Sequence, residues 1–131
     1  MKLTSLRLIS KDIKAAVEFY EQTMGATARW YTKDFAELST DSITIAIGST
    51  QTMQMFSEGL TEFTGTKSII IELMVKNVDE EYERIKSIAS EIIQEPTTMP
   101  WGNRSLLFCD PDGNLINFFT PVSVEAVKKF S

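Results

Sequence analysis

The chain has 131 residues, a formal net charge of −5 and no histidine. Such a length is one domain, large enough to bury about two-thirds of its unfolded surface. The missing histidine excludes Ser-His-Asp and Cys-His nucleophiles and removes the commonest ligand of zinc and non-haem iron. Lys and Arg are scattered and form no basic stripe for nucleic acid. No apolar run approaches the ~20 residues that span a membrane, and no leader-like segment is expected. The lone Cys109 cannot form an internal disulfide, which fits a reducing cytoplasm. The acidic balance favours a cationic ligand over an anionic one.

Leu3 to Ile9 alternates as a strand, with Leu6 and Leu8 on one face and Ser5, Arg7 and Ile9 on the other. Asp12 is a helix N-cap, followed by an apolar stripe of Ile13, Ala16, Val17 and Tyr20, and Gly25 supplies the stop. Strands are predicted at Ala26 to Tyr31, Asp34 to Ser39 and Ile43 to Ile47. Residues 50–67, rich in Gly, Ser and Thr, read as a linker with a short strand at its start.

The pattern then returns. Ser68 to Val75 is a strand, and Asn77 with Glu80 makes a capping-box-like helix start. Val78, Tyr82, Ile85 and Ala89 form that helix's apolar stripe. Glu91 to Gln94 is a strand ended by Pro96, and Thr97 to Asn103 is a loop. Ser105 to Cys109 and Leu115 to Phe119 flank Asp110-Pro111-Asp112-Gly113, a type I turn closed by a glycine of positive φ. Ser123 caps a short helix ending near Phe130. Shifting the chain by 65 residues lays Lys11-Asp12-Ile13 on Lys76-Asn77-Val78. The expected fold is α+β, a single domain of two βαβββ modules. The modules cover about 1–49 and 68–121, their sheets curl round a central cleft, and their helices lie outside.

Two segments resemble a known family. ISKDIKAAVEFYEQTMGA is similar to the first-helix signature of the vicinal oxygen chelate superfamily, the glyoxalase, bleomycin-resistance and extradiol dioxygenase group. PWGNRSLLFCDPDGNLINFFTP resembles its closing hairpin. The resemblance implies a metal held by four cleft side chains, mostly His and Glu. The matching positions here are Ser5, Ala46, Ile70 and Asn117. Two of these are hydrocarbon and none is a good ligand, so no metal or other cofactor is expected, and metal-dependent glyoxalase or dioxygenase activity is disfavoured.

If Ser5, Arg7, Ile9, Ile70, Glu72 and Met74 face inward, Arg7 and Glu72 are equivalents under the repeat. They either pair or share a ligand. Asn117 is a lone amide among apolar neighbours, suited to satisfying a strand or to orienting a ligand. Trp30, Met55 and Phe119 belong to an aromatic and thioether surplus that serves core or site. Trp101, between Pro100 and Gly102, should cover the cleft mouth or a subunit contact.

The ligand-binding set is therefore Ser5, Arg7, Trp30, Met55, Ile70, Glu72, Trp101, Asn117 and Phe119. Resemblance to the bleomycin-resistance branch implies a homodimer that sequesters a small, partly aromatic and cationic molecule. The missing ligands make it metal-free, and the lone cysteine suits the cytoplasm. The scattered charges and short apolar runs leave no nucleic-acid or membrane partner. The competing reading is a lyase or isomerase of the same superfamily, with Glu72 as its base.

Overall fold

The computed structural model describes residues 1–54 and 69–131. It divides into two compact units, Met1–Thr64 and Gly65–Ser131. Each is built on a four-stranded mixed sheet, so the chain is α+β.

The first unit runs β1 (Ser5–Ser10), α1 (Ile13–Met24), β2 (Arg29–Thr32), β3 (Phe35–Ser39), β4 (Thr44–Ser49) and α2 (Thr50–Gln54). The sheet order is β1-β4-β3-β2, with β1 parallel to β4 and the other pairs antiparallel. Paired residues share a face. Leu6 with Ile45 and Leu8 with Ile47 therefore lie on one side, continued by Leu38 and Ala36. Helix α1 covers this side with Ala16, Val17 and Tyr20, all buried. A fully buried Val, Leu or Ile side chain in this layer contributes about 1.5–3 kcal/mol, and an alanine less. Asp12 caps α1 by accepting from the Ala15 amide at 3.1 Å.

The second unit runs β5 (Ile70–Met74), α3 (Val78–Ile85), β6 (Glu91–Thr98), β7 (Asn103–Cys109), β8 (Leu115–Pro121) and α4 (Val124–Lys129). Its order, β5-β8-β7-β6, repeats that of the first, again with the first and last strands parallel. Ile71, Leu73, Ile116, Phe118, Leu106 and Phe108 form the side under α3. The rings of Phe108 and Phe118 meet edge-on at 5.1 Å. Val78 and Ile85 of α3 are buried there, whereas Tyr82 is half-buried and donates its hydroxyl to Glu95 Oε1 at 2.9 Å. Asn77 Oδ1 accepts from the Asp79 and Glu80 amides, as its capping role requires.

The Asp110 turn forms as its residues dictate. Gly113 has φ +87°. The buried Asp110 carboxylate accepts from the Asp112 and Asn114 amides and from Asn114 Nδ2. The 3.0 Å bond from the Gly113 amide to the Asp110 carbonyl closes the turn.

Three expectations about elements need correction. Strand β2 starts at Arg29 rather than Ala26, because the Ala28 amide bonds to Glu21 Oε2 at 2.8 Å and is held at the helix end. Strand β6 does not stop before Pro96 but continues to Thr98. It is an edge strand with register shifts between Ile92 and Thr97, so a proline without an amide hydrogen leaves no ladder bond broken. The stretch after β4 opens with a turn of helix, α2, instead of a strand. Thr52 Oγ1 bonds back to the Ser49 carbonyl at 2.7 Å and favours that turn.

Candidate functional site

Each sheet has a second face, without the long helix. In the first unit it carries Ser5, Arg7 and Ile9 of β1, with Ala46 opposite Arg7 and Glu37 beyond it. In the second it carries Ile70, Glu72 and Met74, with Asn117 opposite Glu72 and Leu107 beyond. The alternation of the strands makes this assignment, since period two sends every other side chain to the same side.

Each unit has an open pocket on this face, bounded by the first strand, the turn between the second and third strands, and the closing short helix. The first unit's pocket, about 600 Å³, is lined by Arg7, by Lys33 and Asp34 of the β2–β3 turn, by Phe35, and by Gln51 and Thr52 of α2. The Arg7 guanidinium lies over the Phe35 ring, 4.7 Å from its centre. Asp34 Oδ1 accepts from Ser49 Oγ at 2.8 Å, which pins the turn to the end of β4.

The second unit's pocket, about 490 Å³, is lined by Glu72, Trp101, Asn103, Phe119, Lys129 and Phe130. Its frame follows from local sequence. Met99 to Gly102 is a tight turn, closed by the Gly102 amide on the Met99 carbonyl at 2.9 Å. Gly102 has φ +94°, and an added Cβ would lie 2.0 Å from Ser123 Oγ. Only glycine allows both that conformation and that approach of α4. Ser123 caps α4 by accepting from the Ala126 amide at 3.0 Å. The helix then brings Phe130 onto Phe119, with ring centres 5.0 Å apart. Trp101, at the turn tip, is 64% exposed.

Beside this pocket, on the same face of the sheet, Asn117 Nδ2 donates to Glu72 Oε2 at 2.8 Å. Asn117 is only 8% exposed, and its Oδ1 is shielded and has no hydrogen-bond partner. The same holds for Asn103 Oδ1 and Ser105 Oγ. The Glu72 side is open to solvent, so the carboxylate can meet a ligand while the amide steadies it.

Of the residues singled out from the sequence, Glu72, Trp101 and Phe119 come together, with Asn117 bonded to Glu72. Ile70 lies on the same face at the Leu115 level. Ser5 and Arg7 share the open face of the first unit. Trp30 lies elsewhere: its partner in the ladder is Ala36, and it lines a groove with Ile13 and Val17 of α1. Met55 lies outside the described residues. Sequence reasoning missed Asn103, Lys129 and Phe130. A signal existed in Phe130, the one aromatic residue after β8, and in the repeated Pro-x-Gly-Asn of the two turns. It also missed that Arg104 forks onto Asp79, with Nε and Nη2 each 2.9 Å from a carboxylate oxygen. Hydrogen bonding to Arg104 holds the Asp79 carboxyl below its ordinary value.

The metal implied by the resemblance does not fit these residues. Ala46 and Ile70 carry no donor atom, and Asn117 turns its amide nitrogen to Glu72. Among the described residues, no group of three or more Cys, Asp or Glu side chains is placed to hold a metal ion. No described helix is long and apolar enough to cross a membrane.

Comparison with known proteins gives the same architecture. A bleomycin resistance protein of Geobacillus stearothermophilus is 29% identical over 121 residues, covering 85% of this chain and 90% of its own length. An uncharacterised protein of Bacillus subtilis, YraH, is 27% identical over 130 residues, covering 91% of this chain and 98% of its own. A crystal structure of a glyoxalase/bleomycin resistance protein/dioxygenase family enzyme from Burkholderia phytofirmans superposes with a TM-score of 0.84. Its identity is 16%, and the match covers 93% of this chain and all of that one. A family model described as Glyoxalase/Bleomycin resistance protein/Dioxygenase superfamily matches residues 2–118. With that match, the repeated sheet order and the two signature segments in agreement, the chain belongs to the glyoxalase/bleomycin resistance protein/dioxygenase superfamily.

Proposed function

We propose that this chain is a metal-free binding protein that sequesters a small, partly aromatic cation in the pocket of its second unit. The observation that carries the reading is the joint lining of that pocket by Glu72 and Trp101, with Phe119 beside them and the Lys129 ammonium held over the ring of Phe130. A carboxylate attracts a cation, and exposed aromatic faces take both flat rings and positive charge. Asn117 keeps the carboxylate in one orientation, which lowers the entropy lost when a ligand is ordered against it. The net charge of −5 favours approach of a cation. The bleomycin resistance relatives make bleomycin the first ligand to try.

The reading includes a cytoplasmic homodimer. The lone Cys109, buried and reduced, agrees with that compartment. Sedimentation should give about twice the 14.8 kDa chain mass, and a monomer at micromolar concentration would remove the dimer from the proposal.

The test is calorimetric titration with bleomycin, paired with tryptophan fluorescence. Binding at micromolar affinity is expected, with a fluorescence change that disappears in Trp101→Phe. Glu72→Gln should weaken binding by tenfold or more. Absence of heat and of any fluorescence response would overturn the proposal. Steady conversion of the added molecule, abolished by Glu72→Gln, would instead support the lyase or isomerase reading.

A further inference from the structure

The face that carries the second unit's pocket holds buried polar atoms without hydrogen-bond partners, and one of them, Asn103 Oδ1, belongs to a residue of the pocket lining. Glu72 accepts from Asn117 Nδ2 at 2.8 Å. An ionised carboxylate only accepts, so this bond requires the amide nitrogen of Asn117 to face it and Oδ1 to turn away. Oδ1 of Asn117, Oδ1 of Asn103 and Oγ of Ser105 are all shielded and without partners. The ladder puts these residues on one face: Asn117 opposite Glu72, Ser105 opposite Phe119, and Asn103 opposite Pro121. Asn103 and Glu72 also line the same pocket. A shielded acceptor left unmet is costly, because it has lost water and gained nothing.

The donors on the wall do not meet this demand. The Lys129 ammonium lies over the Phe130 ring, 5.2 Å from its centre. Trp101 supplies one indole N–H from an exposed turn tip.

We infer that the ligand's head group is an N–H-bearing cation, a primary ammonium or an amidinium, and that Asn103 selects for those N–H groups. The inference rests on the binding role proposed above. Aromatic walls alone would hold a quaternary ammonium equally well, through attraction to the ring faces. A quaternary head has no hydrogen to donate. It would leave Asn103 Oδ1 unmet, and a site built around such an acceptor rejects a ligand that cannot donate. Glu72 supplies the charge complement, and Asn117 acts as a positioning residue through its bond to Glu72.

The test compares benzylammonium, benzamidinium and benzyltrimethylammonium at neutral pH, by titration followed with tryptophan fluorescence. The first two should bind at least tenfold tighter than the third. In Asn103→Leu the preference should fall to near unity, because benzylammonium and benzamidinium bind more weakly and benzyltrimethylammonium, no longer facing an unmet acceptor, binds more tightly. Asn103→Asp, which keeps the side chain's shape and an acceptor, should retain the preference and guards against misfolding of the leucine variant. Equal affinity for all three probes in the native protein would overturn the inference and leave the binding role standing. An undiminished preference in a folded Asn103→Leu protein would likewise remove Asn103 from it. If the probes and bleomycin all fail to bind, the binding role falls and the inference with it.

Discussion

The two units use one backbone plan for opposite chemistry. Both sheets have the order first-fourth-third-second, and both bury an aliphatic or aromatic layer under the helix that follows the first strand. Both have an open face with a pocket bounded by the first strand, the middle hairpin turn and a short closing helix. The layer under the helix is conserved between units in kind, Ile47 and Leu38 in one, Ile116 and Leu106 in the other. The open face is not. Arg7 stacks on Phe35 where the second unit has Glu72 bonded to Asn117. The residue opposite the charged side chain is Ala46 in one unit and Asn117 in the other. Stability therefore depends on one face of each sheet, and the other face is free to change its charge.

The strongest challenge to this comparison is to damage the helix-side layers in turn. Ile47→Ala and Ile116→Ala, each at a fully buried position, should each cost about 2–5 kcal/mol in chemical denaturation. Costs differing by several kcal/mol would show that the two layers are not equivalent.

The closing helices provide the next test. Gly48 faces α2 of the first unit, where an added Cβ would meet Thr52 Oγ1 at 2.7 Å. Gly102 faces α4, where it would meet Ser123 Oγ at 2.0 Å and Ser123 Cβ at 2.7 Å, and its φ is +94° besides. Gly102→Ala should therefore destabilise more than Gly48→Ala, by about 1–3 kcal/mol of backbone strain and displaced helix. It should also weaken ligand binding, because α4 carries Lys129 and precedes Phe130. A melting curve for each variant, with a binding titration for Gly102→Ala, checks both statements.

The smallest effect belongs to a contact whose counterpart the first unit does not show among its described residues, the fork of Arg104 on Asp79. Hydrogen bonding to Arg104 lowers the Asp79 carboxyl in the folded chain relative to the unfolded one. The pair's contribution is then fully present above the ordinary aspartate value and is lost as pH falls through the lowered one. Asp79 is exposed and Arg104 only half-buried, so screening keeps the contribution small. Asp79→Asn should leave stability nearly unchanged at pH 7 and flatten the fall in stability below about pH 4. An identical acid profile in the two proteins would show that the fork contributes nothing.

Much of the fold was legible in the chain because its local signals agree with the global arrangement. Asp12, Asn77 and Ser123 cap the helices that their sequences announce. Asp110-Pro111-Asp112-Gly113 makes the turn that its residue types demand. What was misread was decided by neighbours distant in sequence or by position in a sheet. Pro96 looks like a stop until β6 is known to be an edge, and Ala26 looks like strand until Glu21 captures the Ala28 amide.

The candidate site was legible only in part. Alternation alone places Ser5 and Arg7 on one face and Ile70 and Glu72 on the corresponding face of the other sheet. It cannot tell which residues from other strands stand beside them. Trp30 and Trp101 are equally aromatic in the sequence, yet one lines a groove against α1 and the other the pocket with Glu72. That difference follows from ladder register, since Trp30 is locked opposite Ala36 on the helix side.

The sequence by itself determined the family, the helix caps, the hairpin turn and the poor fit of Ser5, Ala46, Ile70 and Asn117 to a metal. These depend on residue identity and short-range spacing, which a linear chain displays in full. Only the tertiary structure decided that Asn117 steadies Glu72, and that Asn103, Trp101, Phe119 and Phe130 complete one pocket with it. Those residues come from separate strands, a turn and the end of a helix. Sheet register and the approach of α4 at Gly102 bring them together, and neither is written in any single segment of the chain.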